Sequence, residues 1–386
     1  MSDRDILIDV SRLVWRFWRG GLPTGIDRVC LAYLQHFAAR SQAVVQRRGQ
    51  YYVFSPRHSD SLFELFLSES GGFRARFIRF APAAFLTATN SPQRSGLFYL
   101  NIGHTGLNEA SLPRWIGRSG LRAIFLVHDL IPLTHPEYCR PGENEKHRQR
   151  MENVLRSAAG VIGNSQATID ELAGLAAERG LPMPTAVPAW IAGSHHQPPI
   201  LARTFDRPHF ITVGTIEGRK NHILLLRIWR RMVTELGPAA PLLVIVGQRG
   251  WEAQRAIAML DDAGQFAGHV LEFGQCDDQE LARLTAGARA LLMPSFAEGF
   301  GLPVAEALEI GTPVIASDLP VFREFARDIP AYLNPRDCDA WERMILDFVT
   351  DSSEREGQLK ALSGYRAPDW ETHFKIVEEW LASLQD

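Results

Sequence analysis

Short apolar runs separated by longer stretches of helical periodicity organise the chain, at residues 6–10, 97–102, 123–127 and 160–163, and again at 210–213, 242–246, 290–293 and 313–316. Runs that are apolar throughout, without alternation, belong to strands covered on both faces, as in a parallel sheet. Strands taking turns with helices predict an α/β fold. A proline-crowded stretch, 182–208, divides the two sets; it holds Gly193 and the pair His195-His196 and shows little periodicity. The pattern therefore reads as two doubly wound, Rossmann-like parallel-sheet domains, 1–190 and 208–367, joined by a linker at 191–207. Residues 368–386 read as a further helix opened by an Asp cap, with Trp370, Phe374, Val377 and Trp380 on one apolar face.

At 386 residues and roughly 150 residues per domain, the length excludes a single small module. With 46% hydrophobic and 22% charged residues the chain can bury a large core. A formal net charge of -3 argues against a dedicated nucleic-acid binder, and no nucleic-acid partner is expected. Only four of the 41 basic residues are lysines: Lys146, Lys220, Lys360 and Lys375. The longest apolar stretches reach about half of the roughly 20 residues needed to span a bilayer, and the start lacks the features of a signal peptide. A cytoplasmic location is the expectation. Cys30, Cys139, Cys276 and Cys338 form no C-x-x-C pair and read as reduced residues, not as disulfides or zinc ligands.

The chemistry concentrates in two segments. Residues 294–318, PSFAEGFGLPVAEALEIGTPVIASD, follow an apolar strand, make a glycine-containing loop at 298–301 and enter a helix near Pro303, a residue tolerated at helix starts because its missing N–H is not needed there. Such a loop offers free backbone N–H groups and a positive dipole end, which suits a phosphate. Glu298 stands before the helix and Glu306 within it, so that one carboxylate can hold a sugar hydroxyl and the other a ribose. An ordinary strand-turn-helix with a surface glutamate is the alternative for this loop alone. Earlier, the strand 210–213 runs into Gly214-Thr215-Ile216-Glu217-Gly218-Arg219-Lys220-Asn221-His222. Arg219 and Lys220 thus sit at the C-terminal end of a strand, where doubly wound sheets bind ligands. A bidentate arginine beside a point-charge lysine matches a diphosphate.

These segments resemble those of the family 4 retaining glycosyltransferases, whose two-domain GT-B architecture transfers a sugar from a nucleotide diphosphate. Glu298 and Glu306 match the family's two glutamates separated by seven residues, and VGTIEGRKNH matches its phosphate loop. The wording VHDLIPLTHPEYCRPGE, at 127–143, is similar to bacterial mannosyltransferases of exopolysaccharide, capsule or O-antigen assembly. The resemblance implies two Rossmann-like domains facing a central cleft, with the last helix crossing back to the first, acceptor-binding domain. It implies retaining, metal-independent transfer of a hexose, with mannose from GDP-mannose as the best guess. The acceptor would be a saccharide or polyprenol-linked saccharide of surface polysaccharide biosynthesis. UDP-sugars or GDP-fucose are rival donors; an epimerase or phosphorylase of the same fold, or an idle assembly scaffold, are rival functions. The nucleotide-sugar is a co-substrate, and no cofactor is implied.

Carried over residue by residue, the resemblance assigns Arg219 and Lys220, with Gly214 and Thr215 of the same loop, to the donor diphosphate. It assigns Glu298 to the hydroxyls of the transferred sugar, the backbone of Gly299, Phe300, Gly301 and Leu302 to sugar and phosphate, and Glu306 to the ribose. His128, after the strand 123–127, falls where the family keeps a residue near the reacting carbon, although a histidine there is as readily structural. Asn164-Ser165 reads as a helix cap.

After the first strand, Gly20, Gly21 and Gly25 fill the place of the family's glycine loop, which faces the donor phosphates and the acceptor. Trp15, Phe17 and Trp18, interleaved with Arg12, Arg16 and Arg19, depart from that plain loop. Three readings stay open: buried core, a stacking platform for an acceptor sugar, or a patch meeting anionic lipid at the cytoplasmic face of the inner membrane. Asp337-Cys338-Asp339 formally fits a manganese motif but stands at a helix start and reads as its cap, so no metal is expected. No Gly-x-Ser-x-Gly, Walker loop or His-Glu-x-x-His is present.

Overall fold

Each set of apolar runs forms its own parallel sheet in the computed structural model, which describes residues 4–20, 25–68, 72–92, 94–193, 201–274 and 276–385. The first sheet contains β1 (Ile6–Asp9), β2 (Ser41–Arg47), β3 (Gln50–Val53), β4 (Phe98–Asn101), β5 (Arg122–Val127), β6 (Ala158–Gly163) and β7 (Thr185–Pro188). Its order is β3-β2-β1-β4-β5-β6-β7, and only the β2–β3 pair is antiparallel. The second contains β8 (His209–Val213), β9 (Leu242–Val246), β10 (Val270–Phe273), β11 (Leu291–Met293), β12 (Val314–Ser317) and β13 (Ala331–Leu333). Its order is β10-β9-β8-β11-β12-β13, parallel throughout. In β1, β4, β9 and β12 every residue is buried, as strands with helices on both faces must be.

Contacts divide the chain into two compact units: Met1–Leu133 with Asn144–Ala189 and Trp370–Asp386, and Thr134–Glu143 with Trp190–Asp369. Each has its own core, one around Tyr99, Phe125 and Met151, the other around Phe210, Trp229 and Trp341. The division departs from the expected boundaries in two places. Residues 134–143, expected in the first domain, pack in the second unit, where Tyr138 stacks on Phe296 with ring centroids 5.2 Å apart. The described ends of the expected linker are likewise packed: Ile191 and Ala192 are buried, and the Arg203 N–H donates to the Arg283 carbonyl at 2.8 Å. Apolar side chains and a guanidinium flanked by Phe205 and Phe273 do not stay solvated merely because prolines surround them. His195 and His196 lie outside the described residues.

In the first unit, β1 leads into α1 (Ser11–Arg19) and α2 (Gly25–Phe37), followed after β3 by α3 (Pro56–Leu67) and α4 (Phe73–Thr87). The helix Trp370–Ser383 packs on α2: Tyr33 Oη meets His373 Nε2 at 2.8 Å and His36 stacks on Phe374 at 3.9 Å. Trp380 lies on Gly160 of β6, where an added Cβ would stand 2.4 Å from the indole. Among the described residues, no helix is long and apolar enough to cross a membrane.

Candidate functional site

The second sheet changes its direction of growth at β8, whose neighbours are β9 and β11. Loops leaving the C-terminal ends of β8 and β11 meet at this switch point, where doubly wound sheets hold ligands. Gly214 has φ 139°, and a Cβ there would stand 3.1 Å from Cε of Lys220. The loop tightens into a 3-10 turn, Gly218–Lys220, and Asn221, left-handed at φ 56°, opens the helix His222–Leu236. Asn221 ties the loops together, its Nδ2 donating to the carbonyls of Pro294 at 3.2 Å and Pro335 at 2.8 Å. The Phe296 N–H donates to the Arg219 carbonyl at 2.8 Å. The second loop ends at Gly301, φ 97°, which caps the helix Leu302–Ile310; a Cβ there would lie 2.3 Å from the Phe322 ring.

These constraints bring four charges together. Lys220 Nζ stands 2.6 Å from Glu298 Oε1, and Arg219 bridges Glu298 Oε2 at 2.8 Å and Glu217 Oε1 at 2.7 Å. Ser295 Oγ donates to Glu298 Oε1 at 2.6 Å, and Arg219 also donates to the Ala297 carbonyl at 3.0 Å. The Glu298 side chain is only 5% exposed and that of Lys220 9%. Burial by itself would raise Glu298; the charges of Lys220 and Arg219, with the hydrogen bonds from Lys220 and Ser295, overcome it and hold the carboxyl at about 2. Next to them His222 is pushed down to about 3, by burial first and by the Lys220 charge second, so its imidazole stays neutral. The cluster thus stores two cations at helix N-termini, each held by a carboxylate, where a diphosphate can replace the carboxylates as partner.

Glu298, Arg219 and Lys220 are therefore assembled as one group, together with Glu217 and Ser295, which sequence reasoning did not single out. Glu306 stands apart on its helix against Gly193, where a Cβ would lie 2.6 Å from its Cγ. Phe300 is buried and stacks on Phe325 at 4.8 Å, so only its backbone is available, while Gly299 and Leu302 are half-buried. The Thr215 methyl rests beside Gly250. Asp337 caps the helix Cys338–Val349 by accepting from the Ala340 N–H at 2.9 Å, and Asp339 pairs with Arg231 at 2.8 Å. Among the described residues, no group of three or more His, Cys, Asp or Glu side chains is placed to hold a metal ion.

In the first unit His128 follows β5 and is buried, its Nε2 2.8 Å from the Ile102 carbonyl. Burial lowers it to about 4, against the opposing Ile102 hydrogen bond and Asp129 charge. Asn164 Nδ2 donates to the His128 carbonyl at 2.8 Å, and Ser165 caps the next helix. His104 lies between His128 and His147, with ring centroids 5.0 and 6.1 Å away, a grouping that scattered sequence positions concealed. The glycines after β1 divide: Gly20 ends α1 at φ 71°, Gly25 begins α2, and Gly21 lies outside the described residues. Arg12 and Arg16 both pair with buried Asp27, at 2.7 and 3.2 Å. Phe17 packs edge-on against Phe66 and tilted against Phe73, and Trp18 meets Phe77, while Trp15 is exposed.

Two Rossmann-like halves with charged loops at a switch point define a GT-B glycosyltransferase fold. Consistent with this, the chain is similar over 98% of its length to Anabaena HepE, solved in complex with UDP, with a TM-score of 0.65 at 15% identity and 99% of that chain covered. Residues 197–361 match the family model "Glycosyl transferases group 1". Over 262 residues the chain is 30% identical to the O-antigen chain mannosyltransferase B of Escherichia coli, covering 65% of this chain and 67% of that protein. It is 30% identical over 233 residues to the serotype-specific mannosyltransferase WbdA of the same species, covering 56% of this chain but only 28% of WbdA. The chain belongs to the group 1 glycosyl transferase family.

Proposed function

We propose that the protein is a retaining, metal-independent mannosyltransferase that uses GDP-mannose and extends a saccharide or polyprenol-linked saccharide of a bacterial surface polysaccharide. The observation that carries this reading is the buried Glu298 cluster with Arg219 and Lys220, in a chain whose relatives carry mannosyltransferase names. Arg219 and Lys220 hold the donor diphosphate, with Gly214 and Thr215 lining it and the N–H groups at Gly299–Leu302 facing sugar and phosphate. Glu298, ionised at neutral pH, accepts from hydroxyls of the mannose, and Glu306 accepts from the ribose. His128 contacts the sugar near its reacting carbon.

In the step itself the bond between the anomeric carbon and the diphosphate oxygen breaks while the acceptor oxygen bonds to that carbon from the same face. The acceptor's proton passes to the departing phosphate oxygen. Fixed cations stabilise the charge developing on the diphosphate, the largest catalytic term in such sites. Melting the protein with GDP, UDP and their sugars tests the donor, since a ligand of the native state raises the midpoint. A shift with GDP and GDP-mannose but not with UDP is expected; the reverse pattern assigns a UDP-sugar. The anomeric configuration of the product, read by NMR in the presence of EDTA, tests retention and metal independence.

A further inference from the structure

One face of α4 anchors the helix and another is left uncovered by its unit. Phe77 and Ala84 are buried, and Phe73 stacks between Phe66 at 5.5 Å and Phe77 at 5.4 Å. Phe80 meets Phe54 edge-on at 5.9 Å. This aromatic ladder sets the rotation of the helix. At 3.6 residues per turn the opposite side then carries Ala75, Ile78, Pro82 and Leu86 in line. Ile78 is 58% exposed and Leu86 86%, the two most exposed large apolar residues within a described helix. The same geometry places Arg74 and Arg76 on opposite flanks of this stripe, with Arg79 along its edge.

Charge decides what such a face fits. Together α1 and α4 hold six arginines and no acidic residue, in a chain whose net charge is -3. Arg12 and Arg16 share the buried carboxylate of Asp27, whereas Arg19, Arg74 and Arg79 are exposed. The helices touch where Trp18 meets Phe77 and the Arg74 guanidinium lies 5.8 Å above the Trp18 ring. Single exposed apolar residues are ordinary on a protein surface. An apolar stripe between arginine rows is the pattern of a helix lying in a lipid interface. A second copy of the same face would set arginines against arginines.

We propose that α4 is the surface on which the protein rests against an anionic bilayer. Ile78 and Leu86 enter the boundary between headgroups and acyl chains, and Arg74, Arg76 and Arg79 meet lipid phosphates. The inference needs neither the donor nor the acceptor assignment, and binding to vesicles is measured without either.

Co-sedimentation with vesicles of phosphatidylglycerol and phosphatidylcholine, against phosphatidylcholine alone, tests it. The wild type is expected to pellet with the anionic vesicles only. Changing Arg74, Arg76 and Arg79 to Gln together weakens that partition by on the order of 100-fold, at about fivefold per arginine, and Ile78→Ser with Leu86→Ser weakens it at least tenfold while leaving the melting temperature within a few degrees. A Leu86→Trp reporter shifts its emission to the blue when anionic vesicles are added. Failure of the wild type to bind, equal binding by both variants, or an unshifted reporter overturns the proposal. So does a concentration-dependent dimer that the Ile78→Ser, Leu86→Ser variant abolishes, which would give the face to a second copy.

Discussion

His104 and His128 each hold the main chain beside the other. His104 Nε2 lies 2.9 Å from the Leu126 carbonyl on β5, His128 Nε2 lies 2.8 Å from the Ile102 carbonyl after β4, and the rings are 5.0 Å apart. Since a carbonyl only accepts, each Nε2 carries the proton, and Nδ1 is the nitrogen left as acceptor. Both rings are thereby fixed at the C-terminal ends of neighbouring strands. Removing His104 loosens His128 without touching it. His104→Leu is expected to lower kcat tenfold to 100-fold, the cost of misplacing a group by about an ångström, with little change in KM for the donor. A change confined to KM, measured at saturating acceptor, would refute this positioning role.

The same burial makes stability depend on pH. His128 titrates near 4 in the fold, against 6.5 for an ordinary histidine, and burial with the neighbouring charges of His128 and His147 holds His104 well below its usual range. Below pH 6.5 the unfolded chain takes up protons that the folded chain refuses, so stability is complete above that pH and is lost as the pH falls toward 4. His128 contributes on the order of 3 kcal/mol of that loss. Glu298 does not enter the window, because its own transition runs from 4.5 down to about 2. Urea midpoints at a series of pH values between 7 and 4.5 should fall steadily, and His128→Gln should flatten the slope.

In the Glu298 cluster the carboxylate competes with any diphosphate for Lys220 and Arg219. Glu298→Gln keeps the shape and an acceptor for Ser295 but releases Lys220 from its ion pair and leaves Arg219 paired with Glu217 alone. GDP, which lacks the sugar, should bind as tightly as to the wild type or tighter, while transfer falls at least 100-fold. Calorimetry with GDP beside a transfer assay reads both. Parallel loss of GDP binding would show that Glu298 organises the loop and does not contact sugar.

Lys220→Ala should also lower transfer but, unlike Glu298→Gln, should weaken GDP binding. It removes one preorganised cation and leaves Glu298 with a weaker counter-charge, costing about 2–4 kcal/mol of transition-state stabilisation, or roughly 30-fold to 1,000-fold in kcat/KM. Near-normal transfer by this variant with a verified donor would remove Lys220 from the site.

Gly160 and Trp380 report on the returning helix. Gly160→Val places two methyl groups where the indole lies and should cost about 1–3 kcal/mol of overpacking. Trp380→Leu in the same chain should recover part of it. Additive losses in the double variant, measured by urea denaturation, would mean that the two residues do not meet.

The eight apolar runs read from the sequence all fall on strands, and the strands that escaped share a place. β3, β7, β10 and β13 are the four sheet edges, and β2 is next to one. An edge strand is half solvated, so its sequence carries no uninterrupted apolar signal. Gln50–Val53 and Val270–Phe273 mix polar and apolar residues. In the site, Arg219, Lys220 and Glu298 were legible because glycines and charges mark loops at strand ends. His104 and Asp27 were not, since each acquires its partner only when segments 15 or more residues apart are folded together. Glu217 and Ser295, two and three residues from Arg219 and Glu298, were not because nothing in the sequence shows which way a loop turns its side chains. The aromatic-arginine segment after β1 is resolved into parts: Phe17 and Trp18 pack inward, Arg12 and Arg16 serve Asp27, and Trp15 stays at the surface.

Because Trp370–Ser383 completes the first unit, that unit is interrupted by the whole of the second. During synthesis, residues 4–189 emerge long before Phe374 and Trp380 exist to cover Tyr33 and Gly160. The second unit has all its strands available while the first still lacks a wall. The order of completion on the ribosome is thus the reverse of the order in the sequence, and loss of the last two turns would be felt first at the opposite end of the chain.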